Sequence, residues 1–150
     1  MSLIEDKLSS LNITLTPAKQ PVANYLGTKQ MGDLLFVSAR VSELQGVVGE
    51  DVTEAQAKQA ARDTIILLLA IVKKDIRDFD KIIGVVKLQG FIRSGKNFAR
   101  QPQVLDGASE LLIELFGENG KHARTATGVN QLPYGAAVQL DMILQVKTTH

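Results

Sequence analysis

Arg124 stands in the run His122-Ala123-Arg124-Thr125-Ala126-Thr127-Gly128-Val129-Asn130-Gln131-Leu132-Pro133, continued by Tyr134-Gly135-Ala136-Ala137-Val138-Gln139-Leu140-Asp141. A guanidinium near the start of a strand, with a Leu-Pro corner and a polar return strand behind it, can hold a small carboxylate in a cleft. Its planar fork stays charged and pairs with both carboxylate oxygens. The plain alternative is a surface arginine at a strand end, one of 17 Lys and Arg residues, which as a class face solvent. Other reactive side chains offer less. Ser38 and Ser109 have no His-acid partners evident in the sequence, so a nucleophilic triad is not indicated. The glycine-bearing stretches match no phosphate-binding loop.

The charge balance narrows the partners. Lys and Arg number 17 against 16 Asp and Glu, a formal charge of +1 with both signs interspersed. That is not the basic stripe that tracks a nucleic-acid backbone. Cysteine is absent, which excludes disulfides and thiolate chemistry, and the histidines His122 and His150 are poor material for a metal site. The longest apolar run, Ile65 to Val72, is far short of a membrane span. The N-terminal Met1-Ser2-Leu3-Ile4-Glu5-Asp6 carries acids where a signal peptide needs basic charge. A soluble, cytoplasmic protein is expected.

The elements that must position Arg124 are read from periodicity and punctuation. Ser2 can cap a short helix over residues 3–11 with Leu3, Leu8 and Leu11 as its apolar contacts. Pro17 and Pro21 make residues 12–21 extended and irregular, so residues 1–21 are taken as a helix and linker preceding a domain over 22–150. Residues 22–29 are expected as a strand, Met31-Gly32-Asp33 as a turn and Leu34 to Ala39 as the hairpin partner. Thr53-Glu54-Ala55-Gln56 has the outline of a capping box opening a long helix, with Lys73 and Lys74 at its negative end. Lys81 to Ile92 is a strand in which Ile82, Gly84, Val86, Leu88, Gly90 and Ile92 share a parity, leaving Ile83, Val85 and Phe91 opposite. A second helix runs from about Pro102 to Phe116, with Val104, Leu105, Ala108, Leu111, Leu112 and Leu115 along one stripe and Gly117 as the stop.

The last strand is the clearest element. From Ala136 to Val146 the even positions are apolar and the odd ones include Gln139, Asp141 and Gln145, so one face lies under helices and the other is largely polar. After the N-terminal helix the order is β-β-α-β-α-β-β. This predicts an α+β, two-layer fold with a mixed sheet and two main helices on one face. The half-polar opposite face suits a subunit interface.

This order, with Arg124-Thr125 opening the fourth strand and Leu132-Pro133 at the last hairpin, resembles the YjgF/Rid family, the reactive-intermediate (enamine/imine) deaminases. Asn24-Tyr25, the stretch Gly32-Asp33-Leu34-Leu35-Phe36-Val37-Ser38, and Val104-Leu105-Asp106-Gly107-Ala108 add to the likeness, which runs from about Val22 to Val146. The N-terminal helix is similar to that of a longer branch, often labelled YjgF-like or L-PSP endoribonuclease. The resemblance implies a chorismate mutase-like fold, a homotrimer with a ligand cleft at each subunit boundary, and no cofactor. It implies that Arg124 grips a substrate carboxylate, that Tyr25 reaches the cleft, and that backbone near Ser38 helps bind the ligand.

The last-strand position at which the best-known branch has a water-positioning glutamate falls on Gln139. Glutamine can orient water through its amide oxygen but cannot accept a proton near neutral pH. Asp141, two residues on and on the same face, either substitutes or is a solvated strand carboxylate. Asp106 either stands in for a polar group of the cleft or caps a helix. Tyr25 is a ligand contact or an ordinary rim aromatic. Ala39-Arg40 replaces the Gly-Gln common after the serine, and Arg40 is expected to face solvent rather than add charge to the cleft.

The implied activity is hydrolysis of small enamines or imines derived from amino acids, with Arg124 and Gln139 as catalytic residues and Tyr25, Ser38, Asp106 and Asp141 lining the site. Two other readings stand beside it. One is a trimeric metabolite-binding regulator without turnover, which Gln139 favours. The other is an endoribonuclease, for which near-neutral charge and 5% aromatic content give little support.

Overall fold

In a computed structural model, residues 2–19 and 23–148 are described. The elements are α1 (Leu3–Ser10), β1 (Thr28–Met31), β2 (Leu34–Val41), α2 (Glu54–Ile76), β3 (Ile82–Arg93), α3 (Gln101–Phe116), β4 (Ala123–Val129) and β5 (Val138–Val146). Short 3-10 turns occupy Phe79–Lys81, Gly117–Gly120 and Pro133–Gly135. The five strands form one sheet in the order β1-β2-β5-β3-β4. The β3–β4 pair is parallel and the others antiparallel, so the sheet is mixed. Helices α2 and α3 cover one face, giving the expected two-layer α+β architecture.

Local sequence accounts for the helices. Thr53 and Gln56 close a reciprocal capping box, Gln56 N donating to Thr53 Oγ1 at 3.1 Å and Thr53 N to Gln56 Oε1 at 2.9 Å. Ser2 and Glu5 do the same for α1. Glu5 also ion-pairs with Lys73 in the last turn of α2, whose ammonium lies over the Phe79 ring. The apolar stripe of α1 is Ile4 and Leu8, four residues apart, while Leu3, expected as a contact, faces solvent. Ile4 and Leu8 join the main core with α2, α3 and the sheet.

Three expectations about the sheet are corrected. The first strand is shorter and later than residues 22–29: Asn24 and Tyr25 lie in bends before Thr28, and Val22 lies outside the described residues. The Leu132-Pro133 corner does not turn a hairpin, because β5 inserts between β2 and β3 while β4 pairs in parallel with the far side of β3. In β3 the parity flips: the pairing with β5 slips between Ile82 and Gly84 and between Val85 and Lys87. Each slip adds an unpaired residue, so Val85 is 5% exposed in the core and Val86 is 40% exposed on the other face.

Beyond the slips, alternation holds. The even residues of β5 are buried throughout and the odd ones are half-buried. Gly90 permits close approach as expected: a Cβ there would lie 2.6 Å from Leu105 Cδ1 of α3. Gly107 lets α3 cross α2, since a side chain at that position would collide with the Lys58 carbonyl.

Candidate functional site

Directly paired residues of neighbouring strands project to the same face of a sheet. Arg124 pairs with Leu88, which pairs with Met142, and both of those are core residues under the helices. Arg124 therefore leaves the edge strand β4 on the helix side, where α3 meets it. Asp106 and Ser109, three residues apart on one face of α3, both take its Nη1: Asp106 Oδ1 at 2.7 Å and Ser109 Oγ at 3.1 Å. Asp106 is thus the partner of Arg124 and caps no helix. The α3 N-cap is Arg100, which makes no side-chain capping bond.

The network extends to a histidine that the sequence reading set aside. His122 Nδ1 lies 2.6 Å from the Gly120 carbonyl oxygen and Nε2 lies 2.9 Å from Ser109 Oγ. A carbonyl only accepts, so Nδ1–H donates to it, and the Nε2–Ser109 Oγ contact closes the link from the ring to the Arg124 partner. Ser109 in turn accepts from Arg124. The sequence reading found no histidine for Ser109, yet the fold supplies one. Among the described residues no carboxylate orients that ring, and Ser109 is buried. The chain of bonds fixes Arg124 and does not make a nucleophile.

All hydrogen bonds of Arg124 within the chain leave from Nη1, so among the described residues its Nε–Nη2 edge is uncommitted. The Arg124 side chain is 26% exposed and that of Asp106 is 41% exposed. A guanidinium pinned at one nitrogen, with a free two-donor edge, is prepared to receive a planar carboxylate.

Gln139 and Asp141 lie elsewhere. Gln139 pairs with Phe91 and Val41, and Asp141 pairs with Gln89, placing both on the open face of the sheet. Neither makes a side-chain hydrogen bond among the described residues. Burial pushes the Asp141 carboxyl pKa up, with the Lys87 charge pulling the other way. Tyr25 is exposed beside the β1–β2 end. Ser38 donates its hydroxyl to the Leu26 carbonyl at 2.6 Å and its backbone N–H to Gly27 at 2.9 Å. From β2 to β4 there are three strand spacings, about 14 Å. One chain therefore does not bring Tyr25 and Ser38 to Arg124.

A cavity of about 530 Å³ runs between residues 11–16, the end of β2 and α2, past Glu43, Arg62 and Asp63, and none of the expected site residues lines it. A smaller one of about 100 Å³ is lined by Tyr25 and by Arg40, which was expected to face solvent. Among the described residues no helix is long and apolar enough to cross a membrane, and no three His, Asp or Glu side chains are grouped to hold a metal ion.

Fold and site together define a small α+β protein with a mixed five-stranded sheet and an arginine presented from its parallel edge strand. Residues 7–143 match the family described as "YjgF/chorismate_mutase-like, putative endoribonuclease", and the chain belongs to that family. It is similar to Protein TCP17 of Trypanosoma cruzi, 35% identical over 93% of this chain and 91% of that protein. "Putative regulator AldR" of Lactococcus lactis subsp. lactis (strain IL1403) is 25% identical over 91% of this chain and 98% of its own length. The crystal structure of Atu1372 of Agrobacterium tumefaciens, described as of unknown function, superposes with a TM-score of 0.90 at 38% identity, over 97% of this chain and 93% of that one.

Proposed function

We propose that the protein hydrolyses small imines, and enamines after tautomerisation to imines, derived from amino acids. Water adds to the C=N carbon, the nitrogen takes a proton, and the carbinolamine collapses to a 2-oxo acid and ammonia. The observation that carries this reading is the free Nε–Nη2 edge of Arg124, held in place through Nη1 by Asp106 and Ser109. It can orient a carboxylate next to a labile C=N bond, and orientation with a placed water suffices for so reactive a substrate. The cleft forms between copies of the chain, a homotrimer on this reading. Arg124 from one copy faces Tyr25 and Ser38 of the next, and on this reading the assembly also turns the open sheet face that carries Gln139 and Asp141 toward the cleft, where they handle the water.

The test is ammonia release from freshly generated 2-aminoacrylate over about pH 6 to 9 for wild type, Gln139→Glu and Asp141→Asn. A well-placed general base contributes roughly 10²–10⁴-fold. Gln139→Glu should therefore speed release, mainly at higher pH, where the new carboxylate and Asp141 both ionise despite their proximity. Abolition by Asp141→Asn with no gain from Gln139→Glu assigns the base to Asp141. Absence of turnover in all three proteins sinks the enzymatic reading. Sedimentation as a monomer at micromolar concentration sinks the shared cleft.

A second reading, a metabolite-binding regulator using the same arginine, is favoured by Gln139, which cannot take a proton, and by similarity to a protein named as a regulator. Near-neutral charge gives an endoribonuclease no comparable support.

A further inference from the structure

Strict alternation from the buried Val37 would send Ser38 and Arg40 to the open face of the sheet. The structure reverses this for Arg40. Val37 pairs with Met142 but Arg40 pairs with Leu140, so three residues of β2 advance against two of β5. The extra residue is a bulge, a device that re-aims a side chain. Arg40 accordingly turns to the helix side and lines the cavity of about 100 Å³ with Tyr25, Leu26, Gly27, Lys74 and Asp75.

Among the described residues the guanidinium meets no acceptor there. Its Nε is buried without a hydrogen-bond partner, and Arg40 forms no ion pair among the described residues. The other buried and unpartnered guanidine nitrogen, Nε of Arg93, belongs to a side chain anchored through Nη1 to the Gly135 carbonyl. The one carboxylate in the cavity wall, Asp75, accepts the Thr28 hydroxyl at 2.6 Å. Lys19 and Lys74 also border the cavity, giving three cations to one acid. A guanidinium that meets no acceptor among the described residues and borders a cavity is available to a ligand carboxylate.

We infer that Arg40 takes a second carboxylate, so that the ligand of this site is a dicarboxylic imino or oxo acid rather than a monocarboxylic one. This rests on the reading that Tyr25 and an Arg124 from a neighbouring copy bound one cleft. Arg124 then holds the carboxylate next to the reacting carbon and Arg40 the distal one. A forked donor suits the planar distal group, and Lys74 adds charge without geometry. Arg40 is a specificity-determining residue and takes no part in the bond changes.

The experiment measures binding of 2-oxoglutarate and 2-oxobutyrate to wild type and Arg40→Gln by calorimetry, with inorganic phosphate as a competitor. Wild type should favour 2-oxoglutarate by about 30-fold, the equivalent of roughly 2 kcal/mol at 1.4 kcal/mol per decade. Arg40→Gln should remove that preference and leave 2-oxobutyrate binding unchanged. Equal binding of the two acids by wild type overturns the assignment of Arg40 while sparing the carboxylate site. Equal loss of both acids in Arg40→Gln, or displacement of both by phosphate, overturns it too. Failure of wild type to bind either acid sinks the Arg124 reading itself.

Discussion

Replacing Arg124 in two different ways separates its structural role from its ligand role. Arg124→Ala removes the ion pair to Asp106 and the hydrogen bond to Ser109. Because both partners are partly exposed, the loss of stability should be modest, about 1 kcal/mol. For a chain of this length that lowers Tm by roughly 2–4 °C. Arg124→Lys retains a charge able to reach Asp106, so its stability should stay within about 0.5 kcal/mol of wild type. Binding should respond differently. A lost charge-assisted bidentate pair costs about 2–4 kcal/mol, or roughly 30- to 700-fold in Kd for Arg124→Ala. Arg124→Lys should recover only part of this, because one ammonium cannot hold Asp106 and also present a two-donor edge. Calorimetric titration with 2-oxobutyrate, beside thermal melts of the three proteins, reads both quantities. Wild-type affinity in Arg124→Lys would refute the bidentate argument. Wild-type affinity in Arg124→Ala would leave the arginine as a tie between β4 and α3.

Burial raises the Asp141 pKa, so the folded chain binds that proton more tightly than the unfolded chain, and stability falls as pH climbs from the ordinary carboxyl range through the raised value. Asp141→Asn should therefore be more stable than wild type at neutral pH, with the gap closing in acid; a melting series in which the gap widens in acid would contradict this. Gly90→Ala should destabilise by about 1–3 kcal/mol, because the new methyl would sit 2.6 Å from Leu105 Cδ1 in a core with no room to yield. Chemical denaturation checks it, and an unchanged midpoint would mean that α3 can shift.

What the sequence disclosed was local. The capping box at Thr53, the apolar stripe from Val104 to Leu115 and the alternation of β5 are set by residues within a few positions of one another, and each was legible. The pairing partner of β5 is not encoded that way. Only the completed sheet shows that the chain leaves β4, passes β3 and inserts beside β2, so the Leu132-Pro133 corner looked like a hairpin. One bulge in β3 defeated parity at Val85 before a second restored it from Leu88 onward, and a bulge in β2 turned Arg40, expected to face solvent, toward the helix side. The ties around Arg124 join α3 to β4 across 15 to 18 residues, and no periodicity announces them. A weaker signal existed: a β-α-β crossover returns its second strand beside the first, so polar residues of α3 facing β4 were candidates to meet Arg124.

The sheet order decides what a single copy can do. Arg124 is carried on one edge strand, and Tyr25, Ser38 and Arg40 lie at the other end, with β5 and β3 between them. Neither group can approach the other without unfolding the sheet. Two copies placed edge to edge would bring the Arg124 of one beside the Tyr25–Arg40 end of the next, a heterologous contact in which different surfaces meet. Such contacts close into a ring when the rotation between copies permits and otherwise propagate as a filament. In a closed ring every boundary carries one complete set of groups and no copy carries an idle one. The same contact would also cover the open backbone edge of β4, which in an isolated chain presents unpaired N–H and C=O groups. On the proposed reading, a site divided between the two ends of one sheet and an open β4 edge would be met by the same assembly.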